Sequence, residues 1–101
     1  MKINNPGNAP KVPFNLEAFV LHSEDKIELV YLSLKPGEIL EKHKNPFDVI
    51  FFVVEGTGVL TIEEESQMLS PSDTIKVTSE KLRGWKNKGP ETLKILVIKL
   101  L

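Results

Sequence analysis

The chain has no cysteine. Disulfide stapling, thiol catalysis and thiolate metal sites are therefore excluded, and the composition fits a reducing compartment. An excess of charge of one sign is also lacking, since 13 basic residues nearly cancel 14 acidic ones. That balance leaves no electrostatic footprint for nucleic acid or an anionic membrane surface, so neither is expected as a partner. Long apolar runs are missing too. The longest, Val49 to Val54, is far too short to cross a bilayer as a helix. The opening residues, MKINNPGNAPKVPF, lack the apolar centre of a secretion signal, so the chain reads as soluble and cytoplasmic.

A helical period is absent as well. Short runs rich in Val, Ile, Leu and Phe recur instead, with turn residues between them. The pattern predicts strands over 17–22, 27–34, 41–45, 47–54, 59–64, 67–69, 74–77, 82–87 and 93–100. Pro36-Gly37 closes the second, because Pro presets φ for a turn and Gly tolerates the positive φ that follows. Strands at this spacing without helical crossovers indicate an antiparallel sandwich or barrel. With 101 residues, one domain is expected: an extended arm over 1–14, holding three prolines, and a barrel over 15–101. Val49 to Val54 and the terminal run LKILVIKLL are apolar on both faces. One face fills the core, and the other needs a cover. The arm or a second sheet would serve, but a short chain has little spare material, which favours a homodimer.

Two stretches carry a more specific pattern. In the first, Gly37 is followed after five residues by His43, then by Asn45, Val49 and Gly56 at fixed intervals. In the second, Ser72-Asp73 leads to Thr78, Glu80, Arg83 and Asn87. This frame resembles the cupin family, small all-β barrels of the double-stranded β-helix or jelly-roll type. In the family's first motif, glycines open and close a run that carries two histidines and a glutamate. Gly37, His43 and Gly56 match; Asn45 stands at the second histidine and Val49 at the glutamate. In the second motif, Ser72 and Glu80 stand at glycines, Thr78 at a proline, Arg83 at the histidine, and Asn87 matches the closing asparagine.

The resemblance implies a metal held by those three histidines and the glutamate. Only His43 remains here. Asn binds first-row metals weakly, Val offers no donor, and Arg brings a fixed positive charge. No metal and no other cofactor are therefore expected. Glu41, two residues before His43, would share its strand face and offer a makeshift ligand. Asp48 would reach the site only through a bulge.

If the frame holds, His43, Asn45, Val49, Phe51, Arg83, Trp85 and Asn87 face the barrel interior. Apolar walls with a few polar groups make a small-molecule site. Arg83 would fork onto a carboxylate or phosphate, Trp85 pack on a ring or sugar face, and His43 serve as hydrogen-bond partner or base. Plainer accounts exist for each. A lone inward histidine is often simply hydrogen-bonded, Arg83 can extend to solvent over Trp85, Trp85 can be core, and Asn87 can tie backbone. Three functional expectations follow: a metal-free module binding a small organic molecule, with an anion recognised by Arg83 as one form of it; a metal-independent isomerase or epimerase with His43 as general base; and a degenerate metalloenzyme with unusual ligands.

Overall fold

A computed structural model describes residues 1–101. It is all β, with nine strands: β1 Glu17–Glu24, β2 Ile27–Leu34, β3 Ile39–His43, β4 Asp48–Glu55, β5 Gly58–Ile62, β6 Glu65–Leu69, β7 Thr74–Val77, β8 Arg83–Lys86 and β9 Leu93–Leu100. They form a five-stranded sheet ordered β1-β2-β9-β4-β7 and a four-stranded sheet ordered β3-β8-β5-β6. Every pairing is antiparallel. No helix is long and apolar enough to cross a membrane.

Alternation along the central strands explains the core. Val49, Phe51 and Val53 of β4 point inward, as do Leu93, Ile95 and Val97 of β9 and Val30, Leu32 and Leu34 of β2. The smaller sheet closes over them with Leu60, Leu69 and Trp85. The opposite face of the larger sheet carries Tyr31, Ile50, Phe52, Leu96 and Ile98, all half-exposed. The smaller sheet does not bury that face, and of the first residues Pro6 and Gly7 border only its Tyr31 end, in a groove shared with Phe19 and Lys94.

The residues that follow attach along β1. Lys11 bridges Phe19 of β1, Val12 N–H donates to Ala18 O (2.8 Å), and Val20 N–H donates to Pro10 O (2.9 Å).

Six of the nine strands have bounds that differ from the sequence pattern: β5, β6 and β8 shift by one or two residues at an end, and the other three are β1, β4 and β3. β1 continues to Glu24, which narrows the first turn. β4 begins at Asp48, one residue late. β3 spans Ile39–His43, so Asn45 lies beyond it. The cause of the third is a bulge. Leu40 pairs with Trp85 and His43 with Arg83, so three steps along β3 match two along β8. Gly84 makes room for it: a Cβ there would come within 2.7 Å of Leu40 O and 3.1 Å of Lys42 N.

The four motif positions that call for glycine all have positive φ: Gly37 (87°), Gly56 (76°), Ser72 (76°) and Glu80 (67°). The frame is thus kept in the backbone even where the glycine itself is gone.

Candidate functional site

A cavity of about 350 Å³ opens between the sheets. Its polar lining is His43 from the end of β3, Asn45 just beyond it, Arg83 from the start of β8 and Lys99 from β9. Leu40, Phe51, Val30, Leu32 and Val97 form apolar walls, and Val12, Phe14 and Ala18 border it from the N-terminal side. No acidic side chain lines it.

Arg83 is only 2% exposed and makes no ion pair. Its Nη1 donates to Lys81 O over a long 3.4 Å. Nη2 is met by the Asn45 amide oxygen at 2.5 Å, in the amide orientation that also lets Asn45 donate to Lys44 O. Nε is buried with no partner. Burial holds the guanidinium below its ordinary pKa, and no neighbouring acid is a cause of any shift. Guanidinium nonetheless stays charged in proteins. The site therefore carries a buried cation without a counter-charge. Lys99 differs, because its Nζ meets Glu28 Oε1 at 3.2 Å and lies 5.9 Å from the Phe47 ring centre.

His43 is exposed at the cavity edge. Its Nδ1 lies 3.1 Å from Glu41 O. A carbonyl only accepts, so Nδ1 carries the proton and Nε2 keeps the lone pair in the neutral ring. Glu41 thus serves the imidazole through its backbone, not its carboxylate. The expectation that Glu41 shares the face of His43 fails, because the bulge breaks alternation between Leu40 and His43. Glu41 lines an outer groove with Lys42, Thr61 and Lys86 instead. Asp48 also turns away: Oδ1 accepts from Ser79 N–H (2.8 Å), and Oδ2 lies 3.5 Å from Lys76 Nζ.

Four of the residues expected to bind a ligand, His43, Asn45, Phe51 and Arg83, come together on the cavity. Val49 and Trp85 do not line it. They sit deeper, 0% and 1% exposed, within the packed core. Trp85 packs edge-on to Phe51, with ring centres 5.4 Å apart at 89°. Its Nε1 is the second buried donor without a partner, two residues along β8 from the first. Asn87 ties backbone: Nδ2 donates to Leu34 O (2.8 Å) and Glu91 O (2.7 Å), and Oδ1 accepts from Gly89 N–H (2.8 Å). Sequence reasoning missed Lys99, Val12 and Phe14, which reach the cavity from segments remote in sequence from the two motifs, and Leu40, which lies within the first motif.

Residues 30–99 match the cupin domain, which is well over half the chain. The chain belongs to the cupin family. A curated relative, 5-nitrosalicylic acid 1,2-dioxygenase from Bradyrhizobium sp., is 29% identical over 65 residues, covering 64% of this cupin but only 31% of the relative's length. A predicted oxalate decarboxylase from Thermotoga maritima superposes with TM-score 0.88 at 18% identity, over 99% of both chains. KdgF from Halomonas sp. superposes with TM-score 0.84 at 17% identity, over 100% of this chain and 94% of that one. At these identities the structures establish the fold.

The metal that the family resemblance implies does not fit these residues. At the four ligand positions stand His43, Asn45, a fully buried Val49 and the Arg83 guanidinium. No three His, Cys, Asp or Glu side chains of the chain gather where they would hold an ion. A divalent cation beside Arg83 would meet repulsion and too few donors.

Proposed function

We propose that this cupin is a metal-independent binding module that takes a small anionic organic molecule into its cavity. The supporting observation is Arg83. A buried guanidinium without a carboxylate is costly, and a ligand anion would supply the missing counter-charge. His43 and Asn45 stand beside it to orient the anion, and the apolar walls exclude water. The dioxygenase relative is named for an aromatic acid, which is of this chemical kind.

Thermal-shift screening with small carboxylates and phosphates tests the reading. Anions should raise the melting temperature of the wild type and not that of Arg83→Met. Equal responses from the two proteins, or none from either, would refute it.

A second reading has one specific observation in its favour. The bond from His43 Nδ1–H to Glu41 O leaves Nε2 free as a base at the cavity edge. In a metal-independent isomerase or epimerase, Nε2 would take a proton from carbon while Arg83 held the developing negative charge. The product would then show solvent deuterium at one carbon, and His43→Gln would abolish that exchange while retaining binding.

A further inference from the structure

The anion site has a marked asymmetry between its head and its body. Among the cavity's cations, Arg83 has no acid partner, whereas Lys99 is already paired with Glu28 at 3.2 Å. One uncompensated positive charge suits a monoanion. A phosphate dianion would bring a second charge with nothing to meet it. The rest of the lining selects against polar ligands, since eight of the twelve residues are hydrophobic. Sugar hydroxyls placed against Val30, Leu32, Phe51 and Val97 would lose water and find no partner.

Size follows from the volume. At about 30 Å³ for each water-sized group, the cavity of about 350 Å³ holds roughly ten non-hydrogen atoms. Part of its wall comes from outside the two motifs. Val12 and Phe14 border the cavity, and the Val12 N–H bond to Ala18 O fastens that segment beside β1. Phe14 remains 40% exposed, a large apolar ring whose contact with a ligand body would remove it from water.

We infer that the ligand is a free monocarboxylic acid with an apolar body, its carboxylate on Arg83 and its body running beneath Val12 and Phe14. The inference deepens the anion-binding reading above and depends on it. Arg83, Asn45 and His43 select the head, while the walls and the Val12–Phe14 segment select the body.

Trp85, the only tryptophan, packs against the cavity-lining Phe51 and serves as a fluorescence reporter. Butanoate, hexanoate and octanoate are titrated into the full chain, with calorimetry as the second readout and with hexanamide and gluconate for comparison. Affinity should rise roughly fourfold per methylene until the cavity is full. Hexanamide should bind about tenfold more weakly than hexanoate, because it loses the charged hydrogen bond. Phe14→Ala should weaken octanoate more than butanoate, and Arg83→Met should remove binding of all three acids. If acids bind through Arg83 with no dependence on chain length, or gluconate binds as well as hexanoate, the apolar-body inference is overturned and the anion site stands. If no acid binds, the monocarboxylate inference is overturned and the anion reading stands or falls on the carboxylate and phosphate screen; if Arg83→Met binds the acids as the wild type does, both are overturned.

Discussion

His43 and Arg83 are cross-strand partners, brought opposite each other by a single extra residue in β3. Without that bulge the imidazole would fall out of step with β8. The bulge sits opposite Gly84, the residue between Arg83 and Trp85. One irregularity therefore sets the cavity edge, turns Glu41 outward and leaves the guanidinium buried next to Asn45.

Arg83 should reveal itself by what its removal gains. In the ligand-free protein a buried cation without a counter-ion opposes folding, so Arg83→Met should stabilise the chain by about 1–4 kcal/mol. Urea unfolding monitored by Trp85 measures this. A loss of stability of similar size would mean that the guanidinium is a structural element of the barrel, not a group held in place for a ligand.

Gly84→Ala should act through the backbone. The added Cβ would meet Leu40 O and Lys42 N, which belong to the bulge and cannot swing aside as a side chain would. A cost of about 1–3 kcal/mol is expected. Amide chemical shifts of β3 should move while those of β6, at the far edge of that sheet, stay in place. Wild-type stability and an unshifted β3 would show that the strands have room to part.

Much of this architecture is legible in the sequence, for a physical reason. Central strands such as β4 and β9 alternate buried and half-exposed side chains over their first six residues, and that period survives without context. β3 is different: it is an edge strand of five mostly exposed residues, with no apolar rhythm to mark a bulge. Hence its bounds shift, and Glu41 is assigned to the wrong face. Val49 and Trp85 illustrate a second limit. Alternation tells which face a side chain takes but not its depth, and both lie below the cavity. Lys99 and Phe14 show a third, since only the folded sheet brings them to His43 and Arg83. Arg83 itself could be picked out from its motif position, but its missing counter-charge could not.

Glu80 and Ser72 occupy left-handed backbone at positions where the family motif has glycine. A Cβ there costs about 1–2 kcal/mol, and glycine returns about 0.5–1 kcal/mol of that as unfolded-chain entropy. Glu80→Gly and Ser72→Gly should each stabilise the protein by up to about 1 kcal/mol, or several degrees in Tm for a domain of this size. Lys81→Gly, at a neighbouring residue without positive φ, should lower Tm. If all three variants lose stability alike, the left-handed strain is relieved elsewhere.

The outer face of the larger sheet leads to the last expectation, that two copies of the chain pair through it. Tyr31, Leu96 and Phe52 form a row across three adjacent strands, with Leu29, Ile98 and Ile50 beside it. All are half-exposed, and Val54 adds a further 41% exposed side chain on β4. An apolar area crossing three strands seldom stays in water on a small monomer. Its border carries both signs within local pairs, Lys76–Asp48 at 3.5 Å and Lys94–Glu55 at 3.4 Å. A patch that is apolar in the centre and balanced at the rim suits a second copy of itself, because a two-fold contact sets like surfaces together. Sedimentation velocity should show a dimer for the wild type and a monomer for Phe52→Lys, whose outward position leaves the core intact. A wild-type monomer at tens of micromolar, or a dimer that tolerates the lysine, would place the contact elsewhere or remove it.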